Sequence, residues 1–178
     1  RLNLKRRNAF YGDWWDEAAQ WRTGGFDRLC GGVPGSPTTG ELAAGGVRGT
    51  LFVHQLLTVR PGCPLDYLAA VVEEQVPLWR EYGHEPTGIY EVLGNQHEVV
   101  VVWASSISAQ TRLRAARDAA RGLTDGVDAD DRLVAWERQS ATWVTGGDTH
   151  LMTPMPGTVY GPADWDEATL DDWLPPAP

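Results

Sequence analysis

The chain has 178 residues, of which 42% are hydrophobic and 22% charged, enough apolar content for a packed core in one or two domains. A net charge of −9 and a pI near 4.8 argue against a nucleic-acid or anionic-membrane surface, and no apolar run approaches the roughly 18 residues of a membrane span. Two cysteines, Cys30 and Cys63, make no disulfide framework, so free thiols and a reducing cytoplasm are the expectation.

The first segment, residues 1–36, repeats later in the chain. Residues 14 to 35 laid on residues 136 to 157 without a gap match at Trp14/Trp136, Ala19/Ala141, Trp21/Trp143, Thr23/Thr145, Gly24/Gly146, Gly25/Gly147, Leu29/Leu151, Pro34/Pro156 and Gly35/Gly157. Two tryptophan pairs in one ungapped window rarely arise by chance. Upstream the match resumes in a shifted frame, Arg7/Arg117, Ala9/Ala119 and Gly12/Gly122, which implies about a dozen extra residues near Leu123 to Leu133 in the second copy. The repeat is too long for a solenoid unit and fits two small domains in tandem. Because little precedes the first copy's repeated segment, the expectation is that this first repeat is incomplete here, its N-terminal part lying in the same or a separate chain.

Residues 37–49 read as a flexible linker. Thr50 to Val59 is β-rich and closed by Pro61-Gly62, hence a strand. Cys63, in Pro61-Gly62-Cys63-Pro64, reads as a turn residue with nothing nearby to activate its thiol. Leu65 to Tyr82 is helical, with Leu68, Val72, Val76 and Trp79 on one stripe and Pro77 expected to kink the last turn. Gly88 to Leu93 and Glu98 to Trp103 read as a hairpin across Gly94-Asn95, its valine run pointing to burial on both faces. Ala109 to Arg121 is a second helix ended by Gly122, Asp128 to Trp143 a third, and Thr149 to Thr153 a last short strand. The complete domain is expected over residues 50–161. Residues 162–178 form an acidic tail in which Asp164 opens a capping-box-like helix carrying Trp165 and Trp173.

Strand, helix, strand, strand, helix, strand, with one extra helix, is the plan of a ferredoxin-like α+β domain. Its helices cover one sheet face, so a second sheet is needed for the other. The expectation is two antiparallel sheets face to face, as in a dimeric α/β-barrel.

Several stretches resemble a known family. Thr58-Val59-Arg60-Pro61-Gly62, Val76-Pro77-Leu78-Trp79-Arg80-Glu81-Tyr82-Gly83 and Asn95-Gln96-His97-Glu98-Val99-Val100-Val101-Val102-Trp103-Ala104 are similar to the strand-to-helix start, helix end and hairpin of NIPSNAP-type domains, which belong to the dimeric α/β-barrel superfamily. Arg6-Arg7-Asn8-Ala9-Phe10-Tyr11-Gly12 to Trp21 resembles the end of another such domain. The family often carries an acid early in its first strand, where this chain reads Phe52-Val53-His54-Gln55. The resemblance implies a fold whose members range from cofactor-free monooxygenases, isomerases and lyases to haem enzymes and proteins without a known reaction. Fold alone does not choose among them.

The chemistry must come from side chains. His54 shares a strand face with Phe52, Leu56 and Thr58 and is the candidate acid/base, weighed against a core or interface histidine. Tyr90, Trp103 and His150 are the candidate substrate-binding residues, each weighed against plain packing. His150 and Met152 share a face but do not make a haem site without CxxCH or opposed ligands. His84, His97 and Glu98 lie near turns without metal-ligand spacing, and no phosphate or dinucleotide loop occurs, so neither metal nor cofactor is expected. Nine tryptophans suit an apolar or aromatic ligand. The sequence therefore reads as a small-molecule enzyme without metal or nucleotide cofactor, or alternatively as a non-catalytic ligand-binding or assembly protein. In either case a homo-oligomer is expected, with no nucleic acid or membrane as partner.

Overall fold

The computed structural model of the chain describes residues 9–21, 27–154 and 160–161. The acidic tail from Asp164 to Trp173 and the opening run Arg1 to Arg7 lie outside the described residues. The elements run α1 (Ala9–Ala19), β1 (Cys30–Gly32), α2 (Thr39–Ala44), β2 (Leu51–Val59), α3 (Pro64–Ala70), a π-helical turn (Val71–Gln75), α4 (Val76–Glu81), β3 (Glu85–Val92), β4 (Glu98–Ser105), α5 (Ile107–Ala120), α6 (Asp131–Ser140) and β5 (Val144–Met152).

The five strands form one antiparallel sheet in the order β1-β3-β4-β2-β5. Without β1, the order β3-β4-β2-β5 and the run β2, α3/α4, β3, β4, α5, β5 are those of a ferredoxin-like α+β domain. β1 is an addition from the N-terminal repeated segment. It pairs Cys30 with Val92 and Gly32 with Tyr90, along the outer edge of β3. A three-residue strand of Cys-Gly-Gly has no hydrophobic alternation and gives no strand signal in the sequence. The chain then crosses towards the helices: the Ile89 N–H donates to Ser36 Oγ at 2.9 Å, and a Cβ on Gly35 would lie 2.6 Å from Val72.

The stretch read as a linker contains α2. Thr38 and Glu41 form a reciprocal capping box there, and Leu42 is buried. α5 is capped by Ser106 and α6 by Asp130, whose carboxylate accepts the Arg132 backbone N–H and the Tyr82 hydroxyl. β5 begins five residues earlier than the sequence suggests. Its first half, Thr145-Gly146-Gly147-Asp148, carries turn-like residues and little apolar alternation, yet it pairs with β2 through a bulge at Thr58/Val59. Gly147 has φ +133, and a Cβ there would meet Leu56 O at 2.4 Å, so the close approach of the two backbones requires glycine.

The expected kink at Pro77 takes the form of a wide turn. Proline has no N–H to donate, and the helix preceding it loosens into i→i+5 bonding, with the Val76 N–H reaching Val71 O. Pro77 then sits in the first turn of α4, where a missing donor costs nothing.

The core lies between the sheet and the helices α3 to α6. Val53 and Val59 from β2, Ile89 from β3 and Val99, Val101 and Trp103 from β4 all point to that side and pack on Tyr67, Leu68, Val71, Leu113, Leu133 and Trp136. The alternate residues of each strand form the opposite, open face: Phe52, His54 and Leu56 beside Ala104, Val102 and Val100. Val100 is itself buried and Val102 half-buried, in line with the two-sided burial expected of the valine run. Among the described residues this chain supplies no second sheet to cover that face.

Candidate functional site

Alternation along the strands divides the expected site residues between the two sides of the sheet. His54 stands directly opposite His150 on β5, and their ring centroids are 6.2 Å apart. On its other side His54 pairs with Val102, which in turn pairs with Gly88 of β3. A Cβ on Gly88 would fall 2.0 Å from the Tyr90 ring, so that ring occupies the space above the glycine. One row across the open face therefore runs Tyr90 ring, Val102, His54, His150. Burial, then His150, then Arg28 hold the His54 imidazole below its usual value, favouring its neutral form. Nearby, Arg28 grips the Glu98 carboxylate with two bonds of 2.8 and 3.1 Å.

Trp103 belongs to the other side. It is fully buried against Trp79, with ring centroids 4.7 Å apart, and its indole N–H donates to Gln55 Oε1 at 3.0 Å. It does not join His54, Tyr90 and His150, because an odd-numbered residue on β4 points towards the helices.

On that helix side lies a cavity of about 520 Å³. Its floor is Val53, Gln55 and Leu57 of β2 with Val144 and Thr149 of β5. Its walls come from Tyr67, Gln75 and Trp79, from Gln110, Leu113 and Arg117 on α5, and from Leu133, Trp136, Glu137 and Ser140 of α6 with Ala141 just beyond it. Tyr67 stacks on Trp136 at 6.2 Å and meets Trp143 edge-on at the same distance. Burial pushes the Tyr67 phenol up to about 12, against a smaller opposing effect of its hydrogen bond with Ser140, so it stays a neutral hydroxyl.

Three glutamines border this cavity, and none stands out in the sequence, because glutamine is ordinarily a surface residue and these lie on three different elements. Gln75 ends the π-turn, is 2% exposed, and its Oε1 has no hydrogen-bond partner. Gln110 Oε1 lies 2.8 Å from His84 Nε2, and His84 in turn meets the Trp79 ring edge-on at 5.1 Å. His84 is 1% exposed with Nδ1 unpartnered, and burial depresses its pKa. Arg117 is paired with Asp118 and with Glu137, which also holds Arg121, so the charged rim is internally balanced. Cys30 and Cys63 are free thiols, and among the described residues no group of three or more His, Cys, Asp or Glu is placed to hold a metal ion. No described helix is long and apolar enough to cross a membrane.

No family model and no curated relative matches the chain. Among solved structures, it is similar to a NIPSNAP family protein from Agrobacterium tumefaciens, at 14% identity over 63% of this chain and 91% of that one, with a TM-score of 0.48. It is also similar to an uncharacterized NIPSNAP domain protein from Burkholderia xenovorans, at 14% identity over 61% and 97%, with a TM-score of 0.46. The family of both neighbours is the one whose motifs the sequence resembles.

Proposed function

We propose that residues 50–161 are a NIPSNAP-type domain that binds a small, uncharged apolar or aromatic molecule on the helix side of its sheet. The observation that carries this reading is the cavity of about 520 Å³ walled by Tyr67, Trp79 and Trp136. That volume lies within the range of small-molecule sites, and aromatic walls with a few polar groups are their usual lining. His54 does not line this cavity. Its role as acid or base would require a second ligand on the open face, so binding is better supported than catalysis by the residues first singled out.

Ala141 stands at the cavity's edge and is exposed. Ala141→Trp should place an indole across the opening while leaving the core intact. In equilibrium dialysis naphthalene should be retained by the wild-type protein and lost from the variant, with circular dichroism unchanged. Equal retention by both proteins would show that the cavity is not the binding site.

A further inference from the structure

The polar groups of the cavity say more about its ligand than the aromatic walls do. Resting on the reading just given, we infer that the cavity selects a neutral cyclic amide fused to an aromatic ring, a molecule offering a carbonyl acceptor and an adjacent N–H donor.

An indole N–H can only donate, so the Trp103 contact fixes which end of the Gln55 amide faces it. The Gln55 carbonyl is used, and its two N–H donors are left for another partner. Gln110 Oε1 lies 2.8 Å from His84 Nε2 and accepts from it when the imidazole carries its proton there, and His84 is itself wedged against Trp79. Gln55, and Gln110 with His84 in the Nε2–H tautomer, thus use their oxygens and leave N–H groups as the remaining polarity of β2 and α5 at the cavity. The third amide has the opposite need. Gln75 Oε1 is a buried acceptor with no donor, in a turn whose i→i+5 geometry departs from the helix on either side.

The charges exclude an anionic ligand. Arg117 is the cationic side chain on the lining, and it is already engaged by Asp118 and Glu137. A carboxylate ligand would have to break that pair and would face Glu137. A neutral amide needs no counter-charge. Its carbonyl accepts from the glutamine N–H groups, its N–H meets Gln75, and its ring packs on Tyr67, Trp79 and Trp136.

The test compares three probes on the full chain by equilibrium dialysis: quinolin-2(1H)-one, its N-methyl derivative, and naphthalene. Quinolin-2(1H)-one should bind at least about tenfold more tightly than naphthalene, the scale set by satisfying one buried hydrogen bond, with the N-methyl compound between them. Gln55→Glu keeps an oxygen for the Trp103 N–H but turns the remaining donor into a carboxylate oxygen. It should erase the preference for quinolin-2(1H)-one over naphthalene. Gln110→Glu makes the same exchange on α5 and supplies the readout if Gln55→Glu does not fold. Equal affinities for quinolin-2(1H)-one and naphthalene in the wild-type protein, or a preference that survives in the folded variants, would overturn the amide selection while leaving the cavity reading intact. Binding of none of the three probes would overturn both.

Discussion

His84 and His54 are both held towards the neutral imidazole, His84 by burial behind Trp79 and His54 by burial beside His150. A histidine whose folded pKa lies below its unfolded value of 6.5 takes up its proton more readily when the chain unfolds. Stability is therefore complete above about pH 6.5 and is lost as the pH falls below that value towards the folded pKa. The ion-paired carboxylates act below this window, since Arg132 holds Asp130 down to about 2 and lowers Glu81, and Arg28 lowers Glu98. The melting temperature should therefore drop between pH 7.5 and pH 5. The fall should be smaller in His84→Gln, which removes one of the two sensitive groups, even if its stability at pH 7.5 is lower. An equal fall in variant and wild type would remove His84 from this account. The groups facing His84 are Gln110, Trp79 and Arg112, and none is a carboxylate that could hold the imidazolium once formed.

At the scale of elements, the strands followed from composition where side chains alternate or branch at Cβ. Thr50 to Val59 and the valine run from Glu98 were readable for that reason, and Gly94-Asn95 marked their hairpin partner. The first half of β5 was hidden by Gly146-Gly147, and β1 by its Cys-Gly-Gly composition, because both owe their conformation to a neighbouring strand rather than to local preference. Pro77 announced an irregular helix but not its form. The site was less legible than the fold. Parity fixes the faces only within one strand, so the sharing of the open face by His54, Tyr90 and His150, with Trp103 on the other, could be assigned only once the strand registers were known. The glutamines left no signal, since their meaning depends on Trp103 and His84 behind them. β3 itself makes a prediction. Gly88→Ala would put a Cβ 2.0 Å from the Tyr90 ring, so the ring must leave its place at a cost of about 1–3 kcal/mol in denaturant unfolding. In Gly88→Ala combined with Tyr90→Ala, the second change should cost much less than it does alone. Additive losses would mean that the two positions do not share the space.

For the whole molecule, the ungapped frame lays residues 14–18 on the last half of α6, and these residues lie in α1, Ala9–Ala19. The equivalent tryptophans differ in surroundings: Trp136 is 7% exposed under the sheet, while Trp14 is 51% exposed. The open face of the sheet would be covered if two copies of the chain met sheet on sheet. Leu56, between His54 and Thr58, is half-buried on that face. Leu56→Glu should reduce the mass measured by sedimentation equilibrium to that of a single chain while leaving circular dichroism unchanged. An unaltered mass would show that the face is not used for self-association. The strand order carries one more consequence, and it concerns time. Among the described strands, only β3 and β4 are both adjacent in sequence and paired in the sheet. β1 must wait for β3, and β2 must wait first for β4 and then for β5, which is synthesised last of the strands. Pairings between such distant segments close slowly. On the ribosome, the β3–β4 hairpin can form early, but the apolar stretch Leu51–Val59 keeps one edge unpaired until Met152 has emerged, and that interval is when this chain is most open to aggregation.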